Sequence, residues 1–173
     1  VMNGTSENRV YITSIKDDSI GGLTNNNADS PAASNWGKIN FLAGSTGNIH
    51  DAEIWYGGYL SAAINIQDSS PLITDSTIRN NKRGVQVAGA GSHPLINFCW
   101  IFNNSDYGVY NSQAGNWINA TNNWWGSDDG PYDPPGTDGI YNDGSGDRVN
   151  DYVLYSPWLQ LFSSKVFLPL IIK

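Results

Sequence analysis

The sequence has 173 residues, nine basic and 16 acidic, with a net charge of −7. That length suits one domain, and the acidic balance excludes a protein that grips nucleic acid by its phosphates. Asn (21) and Gly (19) are abundant while Glu7 and Glu53 are the only glutamates, which excludes a helical bundle, and seven Trp exclude a disordered chain. In chain order, Val10-Tyr11-Ile12 reads as an early strand. Residues 17–35 are polar, carry Gly21-Gly22 and Asn25-Asn26-Asn27, and read as a loop insertion.

From residue 36 to 126 one pattern recurs. Ile49-x-x-Ala52-x-Ile54, Ile73-x-x-Ser76-x-Ile78 and Ile96-x-x-Cys99-x-Ile101 superimpose, and Ile118-x-x-Thr121 fits with its last apolar position lost. The leading Ile returns after 24, 23 and 22 residues. A second element keeps step: Ile39-Asn40-Phe41, Ile64-Asn65-Ile66, Val85-Gln86-Val87 and Val109-Tyr110-Asn111. Asn81 and Asn104 each follow the last Ile by three residues, a spacing that predicts an asparagine ladder along the stack.

Each unit has alternating apolar residues and no helical period, and none buries its apolar side alone. The expectation is an all-β parallel β-helix of about five to six coils stacked ~4.8 Å apart. Residues 1–126 form the coils, and residues 127–173 form an irregular Asp/Gly/Pro-rich cap with an apolar C-terminal strand. The repeats resemble those of right-handed parallel β-helix proteins, the pectate-lyase-like superfamily. Asn119-Ala120-Thr121-Asn122-Asn123-Trp124-Trp125-Gly126, Gly130-Pro131 and Tyr155-Ser156-Pro157-Trp158 are similar to the C-terminal end of secreted bacterial members. The resemblance implies a secreted or cell-surface location. It does not imply one activity, because the superfamily holds lyases, hydrolases, epimerases, adhesins and structural members.

The lyases use a basic side chain as base and Ca²⁺ to neutralise uronate. Lys38, Arg79, Lys82 and Arg83 are the basic residues near the coils, and Arg79 has no acidic ladder beside it. The hydrolases need a Gly-His-Gly and an Arg-Ile-Lys, both absent here. His50 and His93 occupy different repeat positions. The expected function is therefore non-catalytic: an extracellular structural or adhesive protein that assembles with copies of itself, with no nucleic-acid partner and no membrane span. The second expectation is a module that binds, or an enzyme that cleaves, extracellular polysaccharide through an outward aromatic face. Trp55, Arg79, Phe102 and Trp124 form one outward column and Glu53, Thr77, Trp100 and Asn122 the next. The glycan candidates are Trp55, Arg79, Trp100, Phe102 and Trp124. The competing arrangement has the Asp-rich segment folded over these rings.

No cofactor is required by this reading. Asp143, Ser145, Asp147 and Asp151 have the spacing of calcium ligands but lack the Gly and Glu of an EF-hand. The assembly candidates are Val10 and Ile12 at an uncovered first coil, and Val166, Phe167, Leu168, Leu170 and Ile171 in the tail. That tail either pairs with a neighbouring copy or folds back on its own last coil. Asn3, Asn103 and Asn119 begin glycosylation sequons. Cys99, the one cysteine, falls at an inward small position and reads as an inert core residue.

Overall fold

A computed structural model describes residues 1–26 and 29–161. Short strands wind into a parallel β-helix, and no helix occurs among the described residues. The first coil holds β1 (Met2–Asn3), β2 (Val10–Ile12) and β3 (Ile39–Phe41). The second holds β4 (Asn48–His50), β5 (Ala52–Trp55) and β6 (Ile64–Gln67). The third holds β7 (Leu72–Thr74), β8 (Thr77–Arg79) and β9 (Arg83–Ala88), and the fourth β10 (Leu95–Asn97), β11 (Trp100–Phe102) and β12 (Tyr107–Asn111). These are four complete coils, slightly fewer than the spacing suggested.

Two further strands extend the first sheet, β13 (Ile118–Asn119) and β17 (Val153–Leu154). Between them the cap forms a small sheet of β14 (Pro131–Asp133), β15 (Asn142–Asp143) and β16 (Gly146–Arg148). The chain thus leaves the solenoid for the cap and then rejoins it, because β17 pairs in parallel with β13.

Alternation decides which side chains fill the core. Ile39, Ile64, Val85 and Val109 share one register, as do Phe41, Ile66, Val87 and Asn111. Ile49, Ile73 and Ile96 stack on the first sheet, and Ile54, Ile78 and Ile101 on the second, all fully buried. Cys99 is fully buried between them, and burial pushes its thiol up to about 12, so it is an inert core residue.

The fourth repeat is corrected by two residues. Leu95 stands opposite Asn119, so Ile96 faces Ala120 rather than Ile118, which pairs instead with Val153. Trp100 bridges to Trp124, which turns the fully buried Trp125 into the core above Ile101. The large indole fills the volume that an Ile fills in the coils below.

From the second coil onward the turn after the first-sheet strand holds one residue in the left-handed region: Asp51, Asp75, Phe98 and, after β13, Asn122, with φ of 49, 52, 56 and 58°. Asp and Asn tolerate that region because their side chains bond locally to the backbone; Phe has no such compensation.

Candidate functional site

The αL turn column and the outward face of the second sheet meet in a cleft of about 360 Å³. It is lined by Arg9, Asp51, Glu53, Asp75, Thr77, Phe98 and Trp100. Its floor is an ionic network. Arg9 reaches up from the residue before β2 and its Nη1 donates to Asp51 Oδ1 (3.1 Å), while its Nε pairs with Glu53 Oε1 at 2.7 Å. Arg9 Nη2 donates to the carbonyls of Ala52 (3.2 Å) and Asp75 (2.8 Å), so one guanidinium ties two turns of the αL column together. Glu53 also accepts from Thr77 Oγ1 and Trp55 Nε1, each at 3.0 Å.

His50 stands at the rim. Its ring lies 3.2 Å from Asp51 Oδ2 and 3.3 Å from Asp75 Oδ2, and its Nδ1 is 2.9 Å from Thr74 Oγ1. Two aromatic rings form the wall. Phe98 is 52% exposed and Trp100 42% exposed. The second shares an outward column with Glu53 and Thr77 by strand register.

The glycan candidates divide. Trp100 faces the cleft. Trp55 is buried, covered by the Arg79 guanidinium 3.9 Å from its ring centroid and in T-shaped contact with Tyr11. Phe102 and Trp124 are half-buried. The bridge to Trp100 places Trp124 in the column of Glu53 and Thr77, not in that of Trp55, Arg79 and Phe102 as the sequence spacing suggested. Its ring centroid is 4.7 Å from that of Trp100 and 5.3 Å from that of Phe102. Sequence spacing puts Asp51, Asp75 and Phe98 at one repeat position beside a turn, and missed Arg9 and His50 as their neighbours. The available signal was Phe98 standing where the other coils have Asp or Asn.

The cap lies on the last coil and leaves Trp100 exposed. Asp147 N–H donates to the Trp125 carbonyl (2.7 Å), and Asn150 exchanges hydrogen bonds with the Asn111 backbone. Three of the four calcium-spaced residues have hydrogen-bond partners outside the group. Ser145 donates to the Asp129 carboxylate, Asp147 accepts from Asn104, Asp151 accepts from Thr137, and Asp143 is exposed in β15. Among the described residues no three His, Cys, Asp or Glu side chains are grouped to hold a metal ion. Asp133 is 1% exposed. Burial, and next the Asp138 charge, push its carboxyl up to about 6.

Of the assembly candidates, Val10 and Ile12 are half-buried in β2. Val166, Phe167, Leu168, Leu170 and Ile171 lie outside the described residues. Asn3, Asn103 and Asn119 are exposed, and the Asn3 and Asn119 side chains already accept hydrogen bonds from Asn48 and Asn97. No described helix is long and apolar enough to cross a membrane.

Comparisons with curated proteins and with solved structures return no match. A family model described as a right-handed β-helix region matches residues 2–124, which span the four coils and run on to the Trp100–Trp124 bridge. With that match over most of its length, and with the stacked parallel sheets to go with it, the chain belongs to the right-handed β-helix family.

Proposed function

We propose that the chain is a non-catalytic, extracellular adhesion protein that binds carbohydrate in the cleft beside Trp100. The observation that carries this reading is two solvent-facing rings, Phe98 and Trp100, set beside an ordered floor of hydrogen-bonding groups. Sugar rings have apolar faces and a polar rim, so they suit an aromatic wall next to fixed polar groups. The non-catalytic part is supported by Arg9, the cation of the cleft. A lyase base must be free to take a proton, and the Arg9 nitrogens are engaged by Asp51, Glu53 and two carbonyls.

A glycan array probed with the native protein and with Trp100→Ala tests the reading. A glycan class bound by the first and lost by the second supports it. Equal binding by both, or binding by neither, contradicts it.

A second reading, self-association, is favoured by one feature. Strands β1, β2 and β3 have no partner on their outer side among the described residues. A second copy of the chain could pair there. Light scattering on the purified chain checks this: particles larger than 18.8 kDa support pairing, and a monomer of that mass contradicts it.

A further inference from the structure

We infer that the cleft takes a cationic ligand, an amine-bearing sugar whose ammonium group sits against the carboxylates of Asp51, Glu53 and Asp75 while its ring packs on Trp100 and Phe98. The inference rests on the carbohydrate reading above and specifies the sugar.

The charge balance decides the class. Three carboxylates line the cleft against one guanidinium, so with His50 neutral the site carries a net charge of −2. Arg9 is already committed within the protein: its Nη1 and Nη2 donate to Asp51 and to the Ala52 and Asp75 carbonyls, and its Nε is ion-paired with Glu53. A uronate would bring a fourth carboxylate into this field, within a distance that salt screens poorly. An ammonium group meets the reverse situation. The Asp75 side chain is 48% exposed and held at Oδ2 by His50 (3.3 Å), which leaves its carboxylate open to a ligand. The aromatic wall adds to the same preference, since the faces of Trp and Phe attract cations.

Phe98 gives an independent reason to look here. It holds φ of 56°, the position Asp and Asn fill in the other coils, and it leaves an apolar ring half in water. Neither feature helps the fold. Strained, exposed side chains of this kind are found where a ligand binds.

The test is calorimetric titration with short glucosamine oligomers, N-acetylglucosamine oligomers and galacturonate oligomers, at a mildly acidic to neutral pH where most of the sugar amine is charged. Native protein is expected to bind the amine form about tenfold or more tighter than the acetylated form, with affinity falling as salt rises. Asp75→Asn, at an exposed turn where Asn also holds the left-handed conformation, is expected to fold and to lose most of that preference. Equal or tighter binding of the acetylated oligomer overturns the cationic inference and leaves the carbohydrate reading standing. Tighter binding of galacturonate does the same. An undiminished preference in Asp75→Asn overturns the placement of the ammonium. Binding of none of the three overturns the cationic inference, and the carbohydrate reading then stands or falls by the array.

Discussion

The Asp147 carboxylate accepts from both the backbone N–H (3.1 Å) and the side-chain amide (2.7 Å) of Asn104. It ends a ladder that runs along the stack. Gly57 N–H donates to Asn81 Oδ1 (2.7 Å), and the Asn81 backbone and side chain both donate to Asn104 Oδ1 (3.0 Å). The cap thus supplies the acceptor that a further coil would otherwise supply. Asp147→Ala leaves two buried donors without a partner and is expected to cost about 1–3 kcal/mol, read from urea denaturation. Asp147→Asn keeps an acceptor oxygen and is expected to cost less.

The cap should also be sensitive to pH. Burial holds the Asp133 and Asp147 carboxyls up at about 6, against 3.8 for an ordinary Asp. Between those values the folded chain binds more protons than the unfolded one, so stability falls as pH rises through that window. The contribution of these two groups is fully present below the ordinary value and is lost above about 6. Melting temperature measured in steps across the window should therefore decline for the native chain. Asp133→Asn, which cannot ionise, should flatten the decline; an unchanged slope would contradict the assignment.

Phe98→Asn should separate stability from binding. Asn fills the same turn in the fourth repeat at Asn122. The substitution relieves a left-handed Phe and is expected to stabilise the chain by about 1 kcal/mol. It removes half of the aromatic wall, so glycan affinity should fall about tenfold or more. Paired denaturation and titration curves check both signs.

Arg148 links cap to coil through its guanidinium, 4.6 Å from the Tyr107 ring centroid and 6.0 Å from that of Tyr132. Arg148→Ala is expected to cost about 1 kcal/mol and to speed proteolytic cleavage within residues 127–151. Cleavage at the native rate would mean the cap is held by its backbone bonds alone.

The solenoid was legible because its signal is local. Ile64, Ile66, Val85 and Val87 alternate with polar neighbours, and that alternation alone sets the face and register of the third sheet. The fourth repeat misled because Ile118 is apolar and buried, yet its rung partner is Val153, beyond the cap. The cleft was illegible for another reason. Arg9 precedes the first repeat and meets Asp51 and Asp75 only after the chain has wound once and twice around the axis. The calcium-like spacing at Asp143, Ser145, Asp147 and Asp151 is a linear pattern; the cap bonds Ser145, Asp147 and Asp151 to three different neighbours and leaves Asp143 exposed.

The indole N–H signals in the proton–nitrogen NMR spectrum test the central claim most directly, with Trp100 assigned by Trp100→Phe. On addition of an amine-bearing oligosaccharide the Trp100 signal should shift and saturate, while that of the buried Trp125 stays in place. An unmoved Trp100 signal, or a shift confined to Trp117, whose ring packs against Tyr152, would contradict a binding site in the Arg9–Trp100 cleft.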